Sequence, residues 1–460
     1  MASNVHLSKK HLVLKPRQAS LIDIFRVPFS KDLESKHFVK SLRVKQAILE
    51  HRGIIFLSVF LQKIIQFNEK PLSLFGSTVE MLLNLLGNKN NFGVFLSSLL
   101  QGKMEVPNKN SSNFLSIIGL LDNRVELDKK IKPGDNKYLA ALTATASKIS
   151  YENKEFIKGV VEKIWKMDLL GAYDCWDERH QKNSTQGFMF HDKFANPDTI
   201  IVAFRGTEPF DAAAWSTDFD ISWYKLDGIE GRVHSGFMKA LGLKLDGSWP
   251  KDDREDSEHL PAYNTITKEL KRHFQINNRT RFVVTGHSLG GALAILFPAV
   301  LALHKEDGVL NRLEGVYTFG QPKVGDEKFG KFMEKQLEHY GVKYYRFVYS
   351  HDIVPRLPYD NSALMFKHFG TSLYINCFYE IKDEEESYKN YFDLKSIVTM
   401  RMDSLWELVR SFILPSIFGL EYKEGLLLQI FRLVGLVFPG LPAHGPRDYI
   451  NATRLANYLL

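Results

Sequence analysis

Phe282-Val283-Val284-Thr285-Gly286-His287-Ser288-Leu289-Gly290-Gly291 is the stretch on which the fold turns. A β-branched run leads into Gly-x-Ser-x-Gly, and an Ala/Leu-rich helical pattern over residues 290–304 follows. That order is the signature of a nucleophile elbow, a strand-to-helix turn that strains the serine backbone and presents its hydroxyl at the tip of the sheet. Gly286 and Gly290 suit it because a Cβ at either position would collide with the neighbouring strand and helix. The helix N-terminus supplies N–H groups and positive potential for a developing oxyanion. A bare Gly-x-Ser-x-Gly is common by chance; set between a β run and a helix it is specific.

Working outward, β-rich runs alternate with helical stretches from about residue 135. The runs are residues 199–204 (TIIVAF), 281–285 (RFVVT), 315–319 (GVYTF), 344–349 (YYRFVY) and 373–377 (LYINC). Such alternation predicts an α/β sheet. No internal repeat or long low-complexity segment interrupts it, and residues 382–387 (KDEEES) read as a solvated acidic loop.

A serine alone is a poor nucleophile; it needs a base, and the base an orienting acid. In α/β-hydrolase order the acid comes next and the histidine last. Asp352, in His351-Asp352-Ile353-Val354-Pro355, directly follows the run 344–349 and is the best acid. After it only His368 and His444 remain. His368 leads straight into a strand, which suits a structural role. His444 sits among turn residues in Pro442-Ala443-His444-Gly445-Pro446, where catalytic histidines are carried in such folds, and is favoured over His368.

From about residue 135 to its end the chain resembles the class 3, fungal-type lipases. Five ordered motifs carry the resemblance: Phe204-Arg205-Gly206-Thr207 with Trp215 nearby, Val233-His234-Ser235-Gly236-Phe237, the elbow, Phe319-Gly320-Gln321-Pro322-Lys323-Val324-Gly325-Asp326, and Asp352-Ile353-Val354-Pro355. The resemblance implies an α/β-hydrolase fold with Ser288 as nucleophile, Asp352 as acid and His444 as base. It implies an oxyanion hole from Thr207 and the backbone of Leu289, and a lid formed or flanked by residues 208–223. It gives His234 a structural role. A closer likeness is to the plant oil-body triacylglycerol lipases, which share a long N-terminal extension with an apolar stretch. They share also an enlarged region before the base, and the ending Pro446-Arg447-Asp448-Tyr449-Ile450-Asn451.

Charge is unevenly spread. Residues 1–70 hold 13 Lys/Arg against 5 Asp/Glu, whereas the remainder is nearly neutral. A basic arm suits anionic lipid head groups or nucleic acid, or is simply solvated. No aromatic-interleaved basic motif or recognised module supports nucleic-acid binding. Residues 54–67 (IIFLSVFLQKIIQF) carry a narrow polar stripe of Ser58, Gln62 and Gln66, suited to a helix lying in a membrane interface or packed on the main domain. Further apolar stretches fill residues 79–86, 92–100, 411–420 and 426–438, and none reaches the roughly 18 residues of a membrane span. The expected organisation is therefore an N-terminal, helical, lipid-associating extension over 1–134 and an α/β-hydrolase domain over 135–460, with an apolar insertion at about 400–440.

Two cysteines, Cys175 and Cys377, do not suggest a disulfide scaffold, and Asp23 and Arg26 break the only apolar stretch that could serve as a secretory signal. The expected location is the cytosolic face of a lipid droplet (oil body), with the endoplasmic reticulum membrane as a second surface. The expected activity is hydrolysis of triacylglycerol or another acyl lipid. No metal or organic cofactor is expected, because no zinc-spaced Cys/His cluster, P-loop or dinucleotide fingerprint is present. Two rivals remain: a phospholipase A1 or galactolipid acyl hydrolase, and a catalytically silent lipase-like signalling scaffold, which could have lost its acid or base freely.

Overall fold

The computed structural model describes residues 10–30, 32–33, 36–42, 51–87, 107–195, 198–244, 248–249, 259–358, 366–382 and 394–458. The apolar stretch 92–100 and the acidic residues 383–387 lie outside these. The strands are β1 (Lys10–Leu14), β2 (Val39–Leu42), β3 (Asp168–Asp177), β4 (Lys182–Asp192), β5 (Thr199–Phe204), β6 (Trp223–Lys225), β7 (Val233–His234), β8 (Arg281–His287), β9 (Leu313–Phe319), β10 (Lys343–Tyr349), β11 (Thr371–Ile375) and β12 (Ile381–Lys382). The helices used below are α1 (Arg52–Phe67), α2 (Glu69–Gly87), α3 (Tyr138–Ile149), α4 (Ala212–Asp218), α5 (Leu289–Leu303), α6 (Leu394–Phe418), α7 (Leu426–Gly435) and α8 (Pro446–Leu455).

The main sheet has the order β12-β11-β10-β9-β8-β5-β4-β3. Its centre, β5-β8-β9-β10-β11, is parallel, and β12, β4 and β3 add antiparallel edges. Strands covered on both faces read as continuous apolar runs, which is why β5, β8 and β9 are visible in the sequence. Side chains alternate across them. Val202, Phe204, Phe282 and Val284 enter one core with α5, whereas Ile201, Ala203 and Val283 enter another with α3 and α8. The observed β8 runs on to His287, and β11 begins at Thr371, leaving Cys377 beyond it. Cys175 and Cys377 are both buried and unpaired.

A second, four-stranded sheet has the order β2-β1-β6-β7. Strand β1 pairs with β6, Lys10 opposite Lys225, so the N-terminal part shares a sheet with the segment after residue 220. Helix α1 packs beside it. Ile54, Ile55 and Val59 join Leu12, Leu14 and Trp223 in a third core. The polar stripe of α1 points into the protein: the Ser58 hydroxyl donates to the Phe219 carbonyl at 2.8 Å, and the Gln62 amide donates to Ser58 Oγ at 3.0 Å. Apolar Ile64 and Phe67 are left outside.

The insertion before His444 folds into α6 and α7, clamped to α8 by a buried ionic layer. The Arg432 guanidinium donates to both oxygens of Glu424 at 2.6 Å, to Glu407 at 3.5 Å and to Asp448 at 3.1 Å. Arg410 donates to Asp448 and to the Tyr349 hydroxyl, each at 2.8 Å. Removing one partner of such a layer leaves buried charge uncompensated. Arg432→Ala is expected to lose about 3–5 kcal/mol of stability, seen as a clearly lowered midpoint in thermal or urea unfolding.

Candidate active site

Strand β8 ends at His287 and α5 starts at Leu289, so Ser288 alone makes the turn, at φ 58° and ψ −129°. A non-glycine residue held there stores roughly 1–3 kcal/mol of strain. Close packing enforces it. A Cβ on Gly286 would lie 2.2 Å from the Gly290 carbonyl carbon, and one on Gly290 would lie 2.2 Å from the Phe204 oxygen. The Ser288 N–H donates to the Phe319 carbonyl at 2.9 Å, tying the turn to the end of β9.

Asp352 follows β10, fully buried, and His444 ends a 3-10 turn (Pro442–His444) just before α8. His444 Nδ1 lies 2.8 Å from Asp352 Oδ2. An ionised carboxylate only accepts, so Nδ1 carries the proton and Nε2 keeps a lone pair. His444 Nε2, Ser288 Oγ and Thr207 Oγ1 are all buried without a hydrogen-bond partner. Buried polar atoms are nearly always paired. Three orphans of these types fit a site built for the polar atoms of a ligand. Thr207 and Leu289 line one small cavity. The Leu289 N–H, in the first turn of α5, has no acceptor within its own helix. His368 and His234 stand apart from the pair: His368 Nε2 meets the Pro355 carbonyl at 2.5 Å, and buried His234 caps the following helix through the Phe237 N–H.

Tyr449, Val354, Gly320 and Tyr151, none with an assigned role in the sequence, complete the site together with His287 of the elbow. Tyr449 donates its hydroxyl to Asp352 Oδ2 at 2.5 Å, and the Val354 N–H donates to Oδ1 at 2.9 Å, so the carboxylate is held by three donors. Gly320, at φ +59°, leaves room for the pair: a Cβ there would stand 2.8 Å from Asp352 Oδ2 and 3.0 Å from the His444 ring. His287 Nε2 lies 2.8 Å from the His444 carbonyl, so it donates; Nδ1 then accepts from the Tyr151 hydroxyl, also at 2.8 Å. Burial, and then His444, push the His287 pKa well down and keep it neutral. Gly320 and Tyr449 stood within quoted motifs; Tyr151 carried no sequence signal.

A cover lies over this centre. Helix α4 sits within residues 208–223, and the Trp215 and His444 rings are 5.9 Å apart. Ser288 is 1% exposed and His444 7%. Asp218, at the end of α4, is wholly buried with neither carboxylate oxygen paired. Burial raises its pKa to about 7 against the opposing pull of His444 and Arg179. Beside the cover, a cavity of about 310 Å³ lies between α2 and the 208–213 segment and reaches Tyr151. Among the described residues no group of three or more His, Cys, Asp or Glu could hold a metal ion.

The sequence matches the family model for lipase (class 3) over residues 201–362. Over 98% of its length the chain is 38% identical to triacylglycerol lipase OBL1 of Arabidopsis thaliana, covering 96% of that protein. The chain belongs to the class 3 lipase family. It is also 34% identical to triacylglycerol lipase OBL1 of Ricinus communis over 98% of its length and 96% of the relative's, and 31% identical to a Rhizopus niveus lipase over 38% of each chain. Among solved structures, a triacylglyceride lipase of Rhizomucor miehei aligns with a TM-score of 0.39 at 23% identity, over 53% of this chain and 79% of that one. The class 3 lipase described here is thus a serine ester hydrolase with an α/β-hydrolase fold.

Two substitutions probe the lipase site. Gly320→Ala drives a Cβ between Asp352 and His444, and displacements of about 1 Å at reacting groups cost on the order of 10²-fold in rate. A fall of that size in kcat/KM on a soluble ester is expected. For Asp218, the folded pKa is raised above the unfolded value of about 4, so the folded state binds the extra proton. Stability contributed this way is present at low pH and lost as pH rises from about 4 to about 7. Asp218→Asn should therefore raise the thermal midpoint at pH 8 and leave it nearly unchanged at pH 4, read by calorimetry.

Proposed function

We propose that this lipase hydrolyses triacylglycerol at a lipid surface through an acyl-enzyme on Ser288. The supporting observation is the orientation of His444: its Nδ1–H is spent on Asp352 at 2.8 Å, leaving Nε2 buried and unpaired, and the Ser288 hydroxyl of the elbow is likewise buried and unpaired. The relatives similar from end to end are triacylglycerol lipases, which favours that substrate class.

His444 Nε2 takes the Ser288 proton as Oγ bonds to the ester carbonyl carbon. Thr207 and the Leu289 N–H hold the oxyanion; one such donor is worth roughly 10²–10³ in rate in other serine hydrolases. The carbon–oxygen bond to the diacylglycerol breaks, and that oxygen takes the proton from His444. Water, deprotonated by His444, then releases the fatty acid and restores Ser288. Asp352, held by Tyr449 and Val354, keeps the imidazole in one tautomer throughout.

We read the location as the surface of a lipid droplet (oil body), with residues 1–134 contributing to attachment. Phe29 and Phe67 in that part are more than four-fifths exposed. No helix among the described residues is long and apolar enough to cross a membrane.

The test is release of oleate from emulsified trioleoylglycerol by purified protein, with Ser288→Ala alongside. Loss on the order of 10⁴–10⁶-fold in the variant is expected, as for other triad hydrolases. Serine-dependent release from phosphatidylcholine but not from trioleoylglycerol would move the substrate to phospholipid. No Ser288-dependent hydrolysis of any ester would overturn the reading.

A further inference from the structure

Helices α6 and α7 bury charged residues beside Met400, Leu414 and Leu428, and leave apolar residues outside. On α6, Ser404, Glu407, Arg410 and Ser411 are buried, whereas Val398, Met402, Leu405, Val409 and Phe412 stand outside at steps of three and four. On α7 and the turn after it, Arg432 is buried, whereas Leu426, Ile430, Leu433 and Val437 are exposed at the same spacing. From Met402 to Leu420, Ser416 is the only polar residue among those with exposed side chains. In water both halves of this arrangement are costly. Buried charge carries a desolvation penalty, and exposed apolar surface forgoes about 25 cal/mol per Å². A helix facing water carries the opposite pattern.

The surroundings say what covers this face. The apolar surface continues through Phe438 to exposed Leu441, three residues before His444. The Ile353 N–H, next to Asp352, donates to the Gly440 carbonyl, so the end of the face is bonded to the catalytic pair's own loop. Beyond His444 comes Trp215 of the cover, 5.9 Å away. On the other side of the cover, α1 and α2 expose Phe67, Leu74 and Phe75, and the short helix Ile117–Leu121 contacts both α2 and α7. From Met402 to Leu420 the charged side chains are buried except Asp403, whose side chain is 21% exposed, and charges bound the apolar face only at its ends, at Arg401 and Glu421, as suits a helix seated at the head-group boundary of a lipid surface. Since neither helix can span a bilayer, the fitting geometry is a pair lying in the plane of a lipid surface, apolar side down.

We propose that the outer faces of α6 and α7 are the surface by which this lipase rests on a phospholipid monolayer over neutral lipid, bringing the His444 turn to the interface. The ionic layer of Arg410, Arg432, Glu407, Glu424 and Asp448 is then the rigid mount that fixes the docking face relative to Tyr449 and Asp352. This inference deepens the ester-hydrolase reading above and rests on it for the substrate.

The test uses the full chain carrying Phe412→Asp, Ile417→Asp, Leu433→Asp and Val437→Asp together. Its flotation with artificial droplets of trioleoylglycerol coated with phosphatidylcholine is compared with that of the parent. At least a tenfold fall in the bound fraction is expected, with a parallel fall in hydrolysis of the droplet core. Hydrolysis of soluble p-nitrophenyl butyrate should stay within twofold. Ser288→Ala should float like the parent, so a failure of docking and a failure of the hydrolase reading give different results. If the aspartate variant loses soluble-ester activity, the same four positions changed to Ser are read instead, with the same direction expected. Flotation unchanged in a variant that still cleaves the soluble ester overturns the proposal. So does a parent that elutes as a dimer, a variant that elutes as a monomer, and equal flotation of the two, since the face would then be covered by a second copy.

Discussion

The strained turn at Ser288 is the constraint on which the rest of the site depends. A serine at φ 58° cannot persist on its own preference. It is held because β8 is paired on both sides, because α5 must leave the sheet immediately, and because nothing larger than hydrogen fits at residues 286 and 290. The strain comes with the geometry that hydrolysis needs, a side chain at the sheet tip and a helix N-terminus beside it. The Ser288 N–H bond to Phe319 carries the constraint to β9, whose next residue, Gly320, gives Asp352 and His444 their space. The turn, the Leu289 N–H and the Asp352–His444 pair are thus set by one local packing problem at the carboxyl ends of β5, β8, β9 and β10.

A second system holds His444 from behind. His444 precedes α8, and α8 presents Asp448 to two arginines of the insertion while presenting Tyr449 to Asp352. Adjacent residues of one helix therefore join the ionic layer to Asp352. A segment that looks in sequence like a spacer between acid and base is physically a brace, since its charged residues determine where α8 sits.

Legibility in the sequence followed the range of the interactions. The central strands β5, β8 and β9 were readable because burial on both faces makes each a nearly continuous apolar run, and β5 lies over the expected residues 199–204; β10, with Arg346, and the part-exposed β11 are less regular but keep their aromatic and β-branched residues. The edge strands β3 and β4 were not. DLLGAYDCWD and KNSTQGFMFHD are part-exposed, mix polar with apolar residues and pair with register shifts, so they give no clean alternation. In the site, Ser288 was visible from its own neighbours, and Asp352 and His444 from their order in the chain. Tyr449 and Gly320 were invisible as site residues because their roles exist only through contacts across the fold: Tyr449 meets a carboxylate 97 positions away. Asp218 reads as one more lid carboxylate until its total burial is known.

The same limit explains α1, α6 and α7. A helical period reports that two faces differ, not which one points inward. The assignment normally comes from the assumption that the polar face meets water, and here that assumption fails three times. In α1 it fails through Ser58 and Gln62, which satisfy the chain around Phe219; in α6 and α7 it fails through arginines spent inside on carboxylates. Reversed helices flank the cover, and the cover conceals an unpaired Ser288, an unpaired His444 Nε2 and a buried unpaired carboxylate at Asp218. The covered state therefore carries polar costs inside and apolar costs outside. A lipid surface removes the outer cost by accepting the apolar faces, and an ester in the site removes part of the inner one by pairing the orphaned atoms. On the proposed docking, both reliefs fall on the same side of the molecule, around the His444 turn and the cover beside it.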